Sequence, residues 1–581
     1  MCGIAGIMLK PGAVLDPAIL TQFAKSLAHR GPDGAGANTA EDTSLIHTRL
    51  AIIDLTTGDQ PIRSGPLTLI ANGEIYNYLE LRGELPVSYA TNSDCEPPLK
   101  LFSRRSADYA RSLRGMYAIA IHDRAFHTLT LSRDPFGIKP LYTVETNLGT
   151  AFASEPQALL DAGLTPRAID PAKLNELLNL QFTTGRQSIF QNINRVLPGE
   201  TLTLRDGTLQ STKTIPAIEP GPAITNEDDA LKQLDKIFES TIDLHQRSDV
   251  PYGMFLSGGI DSSAILAMMA RLNASPVLAF TAGFDIPGVA DERDAAEATA
   301  KSVGARHERI HITETMVWDH LPEIVATMDD PVADYAIIPT WFLARRARQD
   351  VKVILSGEGG DEMFAGYGRY RAAARPFPFA KKMRSRAIFD GLDVLRTPPQ
   401  NWRTGIAAAE AEIRDPSALK RAQKIDIVDW LPHDLLLKLD RCLMAHAIEG
   451  RTPFIDPEIA KFAFSLPDKL LVRNGQGKFL LRAWLAKNMP AAQPFAKKQG
   501  FDVPIGTWIA KQGATLGELV AKSPLIAELA EPSKVQTLFK NAGDKRAGFA
   551  AWVLLFTALW HRRHILNLPP AGDVFSTLRQ S

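Results

Sequence analysis

Cysteine is scarce in this chain: three residues, Cys2, Cys95 and Cys442, among 581. Thiols so few and so far apart make neither a disulfide framework nor a zinc spacing, and they suit a reducing compartment. An excess of charge of one sign is missing too. Lys and Arg number 65, as do Asp and Glu, so no global field draws nucleic acid or an acidic membrane to the protein. Long apolar runs are likewise absent. The longest near the C-terminus, AWVLLFTALW, is too short to cross a bilayer and runs into HRRH, so it reads as a buried helix. No signal peptide, internal repeat or low-complexity tract is recognised. The basic, proline-interrupted stretch at 371–389 reads as a surface helix pair or a mobile segment rather than a nucleic-acid patch. The expectation is a cytoplasmic protein with neither nucleic acid nor membrane as a partner.

What is present divides in two, as a length above the limit of a single core suggests. The first part alternates short apolar runs with turn signals, among them GIAGIML, SLIHTRLAIIDL, PLTLIANGEIYN and HTLTLSRD, the pattern of packed sheets. Residues 16–29 have helical periodicity, with Asp16 placed to cap and Pro17 at the first helical position. Residues 196–212 turn like a final hairpin, and 215–226 are proline-rich. Domains are therefore expected at 2–212 and 227–581, with a linker at 213–226. From 227 onward long helical runs separated by single short apolar runs indicate crossover α/β topology with a more helical C-terminal half.

Two features carry chemistry. Removal of Met1 would leave Cys2 of MCGIAGI as a thiol beside its own free amine, an arrangement that can make a nucleophile. In GMFLSGGIDSSAIL (253–266) a strand ends at Leu256, Ser257-Gly258-Gly259 turn, and Asp261-Ser262-Ser263 begin a helix. Glycine backbone and a helix N-terminus together suit a phosphate or pyrophosphate, although no lysine follows as in the GxxxxGK phosphate loop. Asp261 would repel that ligand unless a cation such as magnesium lay between them. A second strand, VKVIL (351–355), leads into SGEGGDEMFAGY. If the two strands are parallel members of one sheet, Ser257 and Ser356 emerge at the same carboxyl edge, where open α/β sheets bind ligands. Asp261 and Asp361 would then share magnesium, with Glu358 and Glu362 as the other acids of the loop. Glu449 and Arg451 read as a helix-end ion pair. Lys478, near a helix start, is either solvated or facing a phosphate or carboxylate, with Arg482 one turn later on the same helix face.

Taken together, MCGIAGI, HRGPDG, HTRLAIID, NGEIYN and RDPFGIKPLY, followed in order by LSGGIDSS, LSGEGGDEMFAGY, MAHAIEGRTPFID and KQGFDVPIGTW, resemble the glutamine-dependent asparagine synthetases over essentially the whole chain. The resemblance implies an N-terminal-nucleophile αββα sandwich followed by a PP-loop adenine-nucleotide α-hydrolase-like domain with a parallel sheet. It implies that Cys2 attacks the side-chain amide of glutamine, with Asn72 and the Gly73 N–H as oxyanion donors. Arg49 would hold the substrate carboxylate, while Glu74 and Asp94 face its ammonium. In the second domain it implies ATP and Mg²⁺. The β-carboxylate of aspartate is adenylated with loss of pyrophosphate and opened by ammonia that has crossed an apolar tunnel. Ser257, Gly258, Gly259, Asp261, Ser262 and Ser263 match the pyrophosphate cradle and Asp361 its metal partner. Leu256, Ala282, Ser356 and Gly357 match the nucleotide surroundings, and Glu358 and Lys478 the catalytic acid and the phosphate-side lysine.

Relatives of this architecture amidate other carboxylates, such as a sugar acid, a peptide or a small dipeptide, and Cys2 does not choose among acceptors. A nucleotide-binding regulator on a degenerate scaffold is disfavoured because the Cys2, Ser257 and Asp361 motifs are all intact. A homodimer is the assembly carried forward. Pro97 and Pro98 depart from the longer uninterrupted helix of relatives and are expected to break or delay it beside Asp94. Ala447, Thr452 and Ile455 are milder departures near the acceptor pocket. Cys442 is read as a core residue, Cys95 as non-catalytic, and the turn at 29–31 as positioning rather than an imidazole base.

Overall fold

The computed structural model describes residues 2–284, 292–376, 378–496 and 503–580. Met1 and most of the KQGFDV portion of the last motif lie outside the described residues. β1 (Gly3–Leu9) is buried along its whole length because both its faces are covered. Ile4 and Met8 enter the layer between two sheets, while Ala5, Ile7 and Leu9 pack toward Phe23 and Leu27 of the helix Pro17–Leu27. Asp16 caps that helix by accepting from Ala18 N at 2.9 Å, with Pro17 in its first turn, as the sequence predicts.

In the first sheet the strand order is β10 (Ile193–Arg195), β8 (Tyr142–Glu145), β9 (Gly149–Ala153), β1, β3 (Thr43–Arg49), β2 (Gly34–Thr39). The second runs β12 (Thr208–Thr214), β11 (Glu200–Arg205), β7 (Thr128–Arg133), β6 (Gly115–Asp123), β5 (Leu67–Ile75), β4 (Ile62–Ser64). All pairings in both sheets are antiparallel. Leu45, Ile70, Leu129, Leu131 and Phe152 fill the space between the sheets, and helices cover both outer faces, so the domain has the four αββα layers. β11 and β12 are the expected hairpin.

The third sheet is parallel, in the order β15 (Arg306–Ile312), β14 (Leu278–Phe284), β13 (Tyr252–Phe255), β16 (Val353–Leu355), β17 (Glu449–Arg451). The chain moves outward from β13 in one direction and returns to build the other side through β16. That reversal opens a crevice at the carboxyl ends of β13 and β16. Helices make up most of the chain after β17, ending with the buried Lys545–His564 and Val574–Arg579. No helix among the described residues is long and apolar enough to cross a membrane. Among the described residues of the basic stretch at 371–389 the helix pair, one of the two forms expected there, is not present. Among its described residues the end of the short helix Gly368–Ala373 enters it and turns and irregular backbone make up the rest, the prolines removing backbone donors.

Two candidate active sites

Cys2 heads β1 and is buried. Its backbone N–H donates to Asn72 Oδ1 at 3.1 Å, and its Sγ lies 4.0 Å from the Leu50 carbonyl oxygen. Asn72, on β5, is fully buried, and its Nδ2 has no hydrogen-bond partner. Leaving a buried amide donor unpaired costs about 1–3 kcal/mol, which an incoming oxygen acceptor recovers. Gly73 follows because β6 passes close by: a Cβ there would stand 2.1 Å from the Met116 carbonyl oxygen. Cys2 and Gly73, together with Arg49, Glu74, Asp94 and Glu449, line a cavity of about 20 Å³, the room of roughly one water. Burial pushes the Cys2 thiol up, so the resting sulfur is protonated and its activation needs a base.

The carboxylates are graded by their surroundings. Burial, and then Asp94, raises the Glu74 carboxyl well above its usual range, and Asp94 is raised by burial as well. Glu449 behaves oppositely. Burial works against its charge, yet the positive amino terminus first, then Arg451 and Lys139, pull it down to about 2. Arg451 Nε donates to Glu449 at 2.7 Å and its Nη2 lies 3.2 Å from Glu74, so one guanidinium ties the two acids together. Arg49 Nη1 is engaged by Asp59 at 2.7 Å and Nη2 donates to the Asp54 carbonyl. Asp94 accepts from Ile75 N at 2.9 Å.

Two readings change here. Pro97 and Pro98 do not break the helix after Asp94: they lie in the first turn of Glu96–Arg105, where helical N–H groups have no intrahelical partner. Glu449 and Arg451 are an ion pair but not at a helix end. They lie on β17, whose three residues carry no apolar alternation that would reveal a strand. Their place beside the Cys2 cavity was missed, and nothing local signals it. Cys95 also lines that cavity and burial pushes its thiol well up, while Cys442 is a fully buried core residue.

β13 pairs in parallel with β16, Tyr252 opposite Val353, so Ser257 and Ser356 leave the sheet at one edge. Leu256 N donates to Phe280 O at 2.9 Å, which brings Ala282 on β14 to the same edge. The serines close the loop on itself: Ser257 N donates to Ser262 Oγ at 3.1 Å, Gly259 N to Ser257 Oγ at 3.1 Å, and Ser263 Oγ to Gly259 O at 2.8 Å. The Asp361 loop packs directly against it. A Cβ on Gly357 would come within 3.1 Å of Ser262 N, and Gly359 has φ +90 with Ile455 where a Cβ would project, so no L side chain fits.

Lys478, left-handed at the start of Phe479–Asn488, reaches back into this crevice. Its Nζ forms ion pairs with Asp261 and, at 2.7 Å, with Asp361. Burial disfavours the lysine charge, but the two acids outweigh it and hold the pKa above the ordinary lysine value. Gly258, Gly259, Asp261, Asp361, Lys478 and Arg482 line a cavity of about 280 Å³. A carboxylate pair that requires a shared cation fits a divalent metal. Glu358 is not on that wall. It is raised by burial, and its charged neighbours are first Lys438 and then Asp334, themselves paired at 2.8 Å.

Arg30, in the turn at 28–30, joins the two domains. Its Nε donates to Cys2 O at 3.1 Å, and its Nη1 to Glu155 at 2.7 Å and to Asp440 at 2.8 Å. A layered antiparallel domain with a terminal-region thiol, joined to a parallel sheet with a serine-glycine loop, defines a glutamine amidotransferase coupled to a nucleotide-using synthetase.

The asparagine synthase family pattern matches residues 233–562 and that of the glutamine amidotransferase domain residues 1–214. The chain is 33% identical to a putative glutamine-hydrolyzing asparagine synthetase of Mycobacterium tuberculosis over 97% of each chain. It is 33% identical to glutamine-hydrolyzing asparagine synthetase 1 of Bacillus subtilis over 97% of each. Identity to asparagine synthetase B of Escherichia coli is 26%, over 90% of this chain and 85% of that one. The chain belongs to the asparagine synthase family.

Proposed function

We propose that the enzyme hydrolyses glutamine at Cys2 and passes the ammonia to a carboxylate adenylated by ATP in the second domain, with aspartate as acceptor and asparagine as product. The observation that carries this reading is the buried Cys2 thiol beside the unpaired Asn72 amide, in one chain with the serine-glycine loop and its lysine-bridged acids. The domains would be 2–212 and 227–581 about the 213–226 linker, between β12 and the helix Glu227–Gln246.

With Met1 removed, the Cys2 amine, oriented by Asn72 Oδ1, takes the thiol proton as sulfur attacks the amide carbon. Asn72 Nδ2 and the Gly73 N–H receive the developing oxyanion. Arg49 would exchange Asp59 for the substrate carboxylate, and Glu74 with Asp94 would accept its ammonium. Ammonia leaves and water releases glutamate. A shared apolar cluster that includes Leu50, Ile52 and Met116 from the first domain and Leu256, Leu355 and Ile455 from the second supports passage without protonation.

In the second domain Ser257, Gly258, Gly259, Ser262 and Ser263 would cradle the pyrophosphate, while Leu256, Ala282, Ser356 and Gly357 surround the nucleoside. Asp261 and Asp361 would hold Mg²⁺, which neutralises phosphate charge when bound. Lys478, displaced from the acids, would meet the charge developing on phosphorus, and Glu358 would manage the proton of the incoming ammonia. A homodimer is the assembly proposed. The test is an acceptor screen by pyrophosphate release with product mass: aspartate is expected to be required, and a response to a sugar acid or dipeptide with none to aspartate would reassign the acceptor.

A further inference from the structure

The seam between the domains holds a cavity of about 490 Å³ that belongs to neither site described above. The first domain contributes Lys25 and His29, from the helix Pro17–Leu27 and the turn after it, and Glu155, which immediately precedes the helix Pro156–Asp161. The second contributes Asp329, Arg441 and Arg563. The volume falls in the range of small-molecule sites, and its charges are of both signs.

Two of its cations are not matched by acids. Lys25 makes no ion pair among the described residues, and Arg563 makes none either, its guanidinium donating only to Asn567 Oδ1 at 3.1 Å. Partial burial destabilises the Arg563 charge, and the acids that act on it, Asp161 and Asp329, are already taken up by Arg167 and Arg441, so a further anion beside it would be gained. Arg441 reaches the floor, 2% exposed, with Nη2 lacking any hydrogen-bond partner. The acid on the same floor is also only half used. Glu155 receives Arg30 at 2.7 Å, His29 at 3.2 Å and Arg441 at 3.7 Å, all on Oε1, which leaves Oε2 for a cation. Unmatched donors together with an unused carboxylate oxygen select a zwitterion over a simple anion, which the acids of the lining would repel.

The floor is wired to the thiol. Glu155 Oε1 is the acceptor that orients Arg30, and Arg30 Nε holds the Cys2 carbonyl at 3.1 Å. A second cation on Glu155 competes with Arg30 for that carboxylate, and Arg30 then shifts its hold toward Asp440, which it already binds at 2.8 and 3.1 Å. We propose that this seam cavity is a binding site for a free α-amino acid, with its ammonium on Glu155 and its carboxylate between Lys25 and Arg563, and that its occupancy is transmitted to Cys2 through Arg30.

Calorimetric titration of the full chain with L-asparagine, L-aspartate and L-glutamate tests this, alongside glutaminase rates measured with each. At least one is expected to bind and to change the glutaminase rate. Arg563→Gln and, separately, the surface change Lys25→Gln should each weaken that binding about tenfold, the loss of one charge-assisted contact. Neither residue touches the proposed glutamine or nucleotide site, so glutaminase without effector should stay unchanged and reports that the variants fold. The site is overturned if none of the three binds, or if each binds both variants as tightly as the wild type. Binding that leaves the glutaminase rate unmoved would overturn the link to Cys2.

Discussion

The two cavities are built on opposite terms. The one at Cys2 has about 20 Å³, with the Glu74, Asp94 and thiol pKa values raised by burial and only Glu449 lowered, whereas the one at the serine-glycine loop has about 280 Å³ and two acids paired to a lysine. The small site acts on a neutral amide, whose charge appears only during reaction and is met by donors already in place. A larger, charged site receives a polyanion and keeps an internal cation at hand until it arrives. The lesson lies in how burial is met: it raises the Glu74, Asp94 and Cys2 pKa values in the first domain, and in the second two acids outweigh it at Lys478.

Cys2→Ala should separate the two most sharply. Glutamine-dependent synthesis is expected to fall by about 10⁴ or more, the scale for removal of a nucleophile. Synthesis from added ammonia should persist, and both rates can be followed by product mass. A loss of both would mean that Cys2 is needed for folding rather than for chemistry.

Next in size are Lys478→Met and Asn72→Ala, each expected to cost about 10²–10³ in the half reaction it serves. Lys478→Met should stop pyrophosphate release with glutaminase intact, and Asn72→Ala the reverse. The lysine variant also leaves Asp261 facing Asp361 without their shared cation. Its melting temperature should therefore drop and recover with added Mg²⁺ more than the wild type's does, and equal responses would remove the case for a metal between those acids.

Acid should act on the seam that holds the halves together. His245 packs its ring 3.9 Å from that of Tyr76 across the domains, and burial pulls its pKa to about 4. Because the folded value is depressed, this contribution is fully present above the unfolded value near 6.5 and is lost as pH falls through about 4. The loss amounts to about 3 kcal/mol, by the 1.36 kcal/mol that each pKa unit represents. Denaturant midpoints against pH should show this slope, and His245→Gln should flatten it. The smallest effect belongs to Pro97→Ala, within about 1 kcal/mol of wild type by urea unfolding, since a first-turn residue needs no intrahelical N–H.

Much of the scaffold was legible because its signals are local. Asp16-Pro17 announces a capped helix, the β11–β12 hairpin is flagged by its Asp206-Gly207 turn, and the strand–glycine–helix order at 253–266 places the loop at a sheet edge. Both candidate sites were anticipated through Cys2, Asn72, Ser257 and Asp361, each in a motif of adjacent residues. What escaped was the contribution of one domain to the other. Glu449 and Arg451 read as a local pair, yet they meet Glu74 at the glutamine-side cavity, while Arg30 and Asp440 bond across 410 positions. Glu358 is three residues from Asp361 in the chain, yet among the charges that act on it Lys438 comes first and Asp361 only after Asp334.

By itself the sequence determined the elements, their caps and turns, and the residue types at both centres, because hydrophobic periodicity and backbone freedom act within a few residues. Tertiary structure alone decided which charges are neighbours. It set Lys478 between two carboxylates, ran Arg30 from Cys2 to the second domain and opened a charged cavity along the seam. The reason is physical: the strength of a charge pair depends on distance and burial, and neither is defined until distant segments have packed.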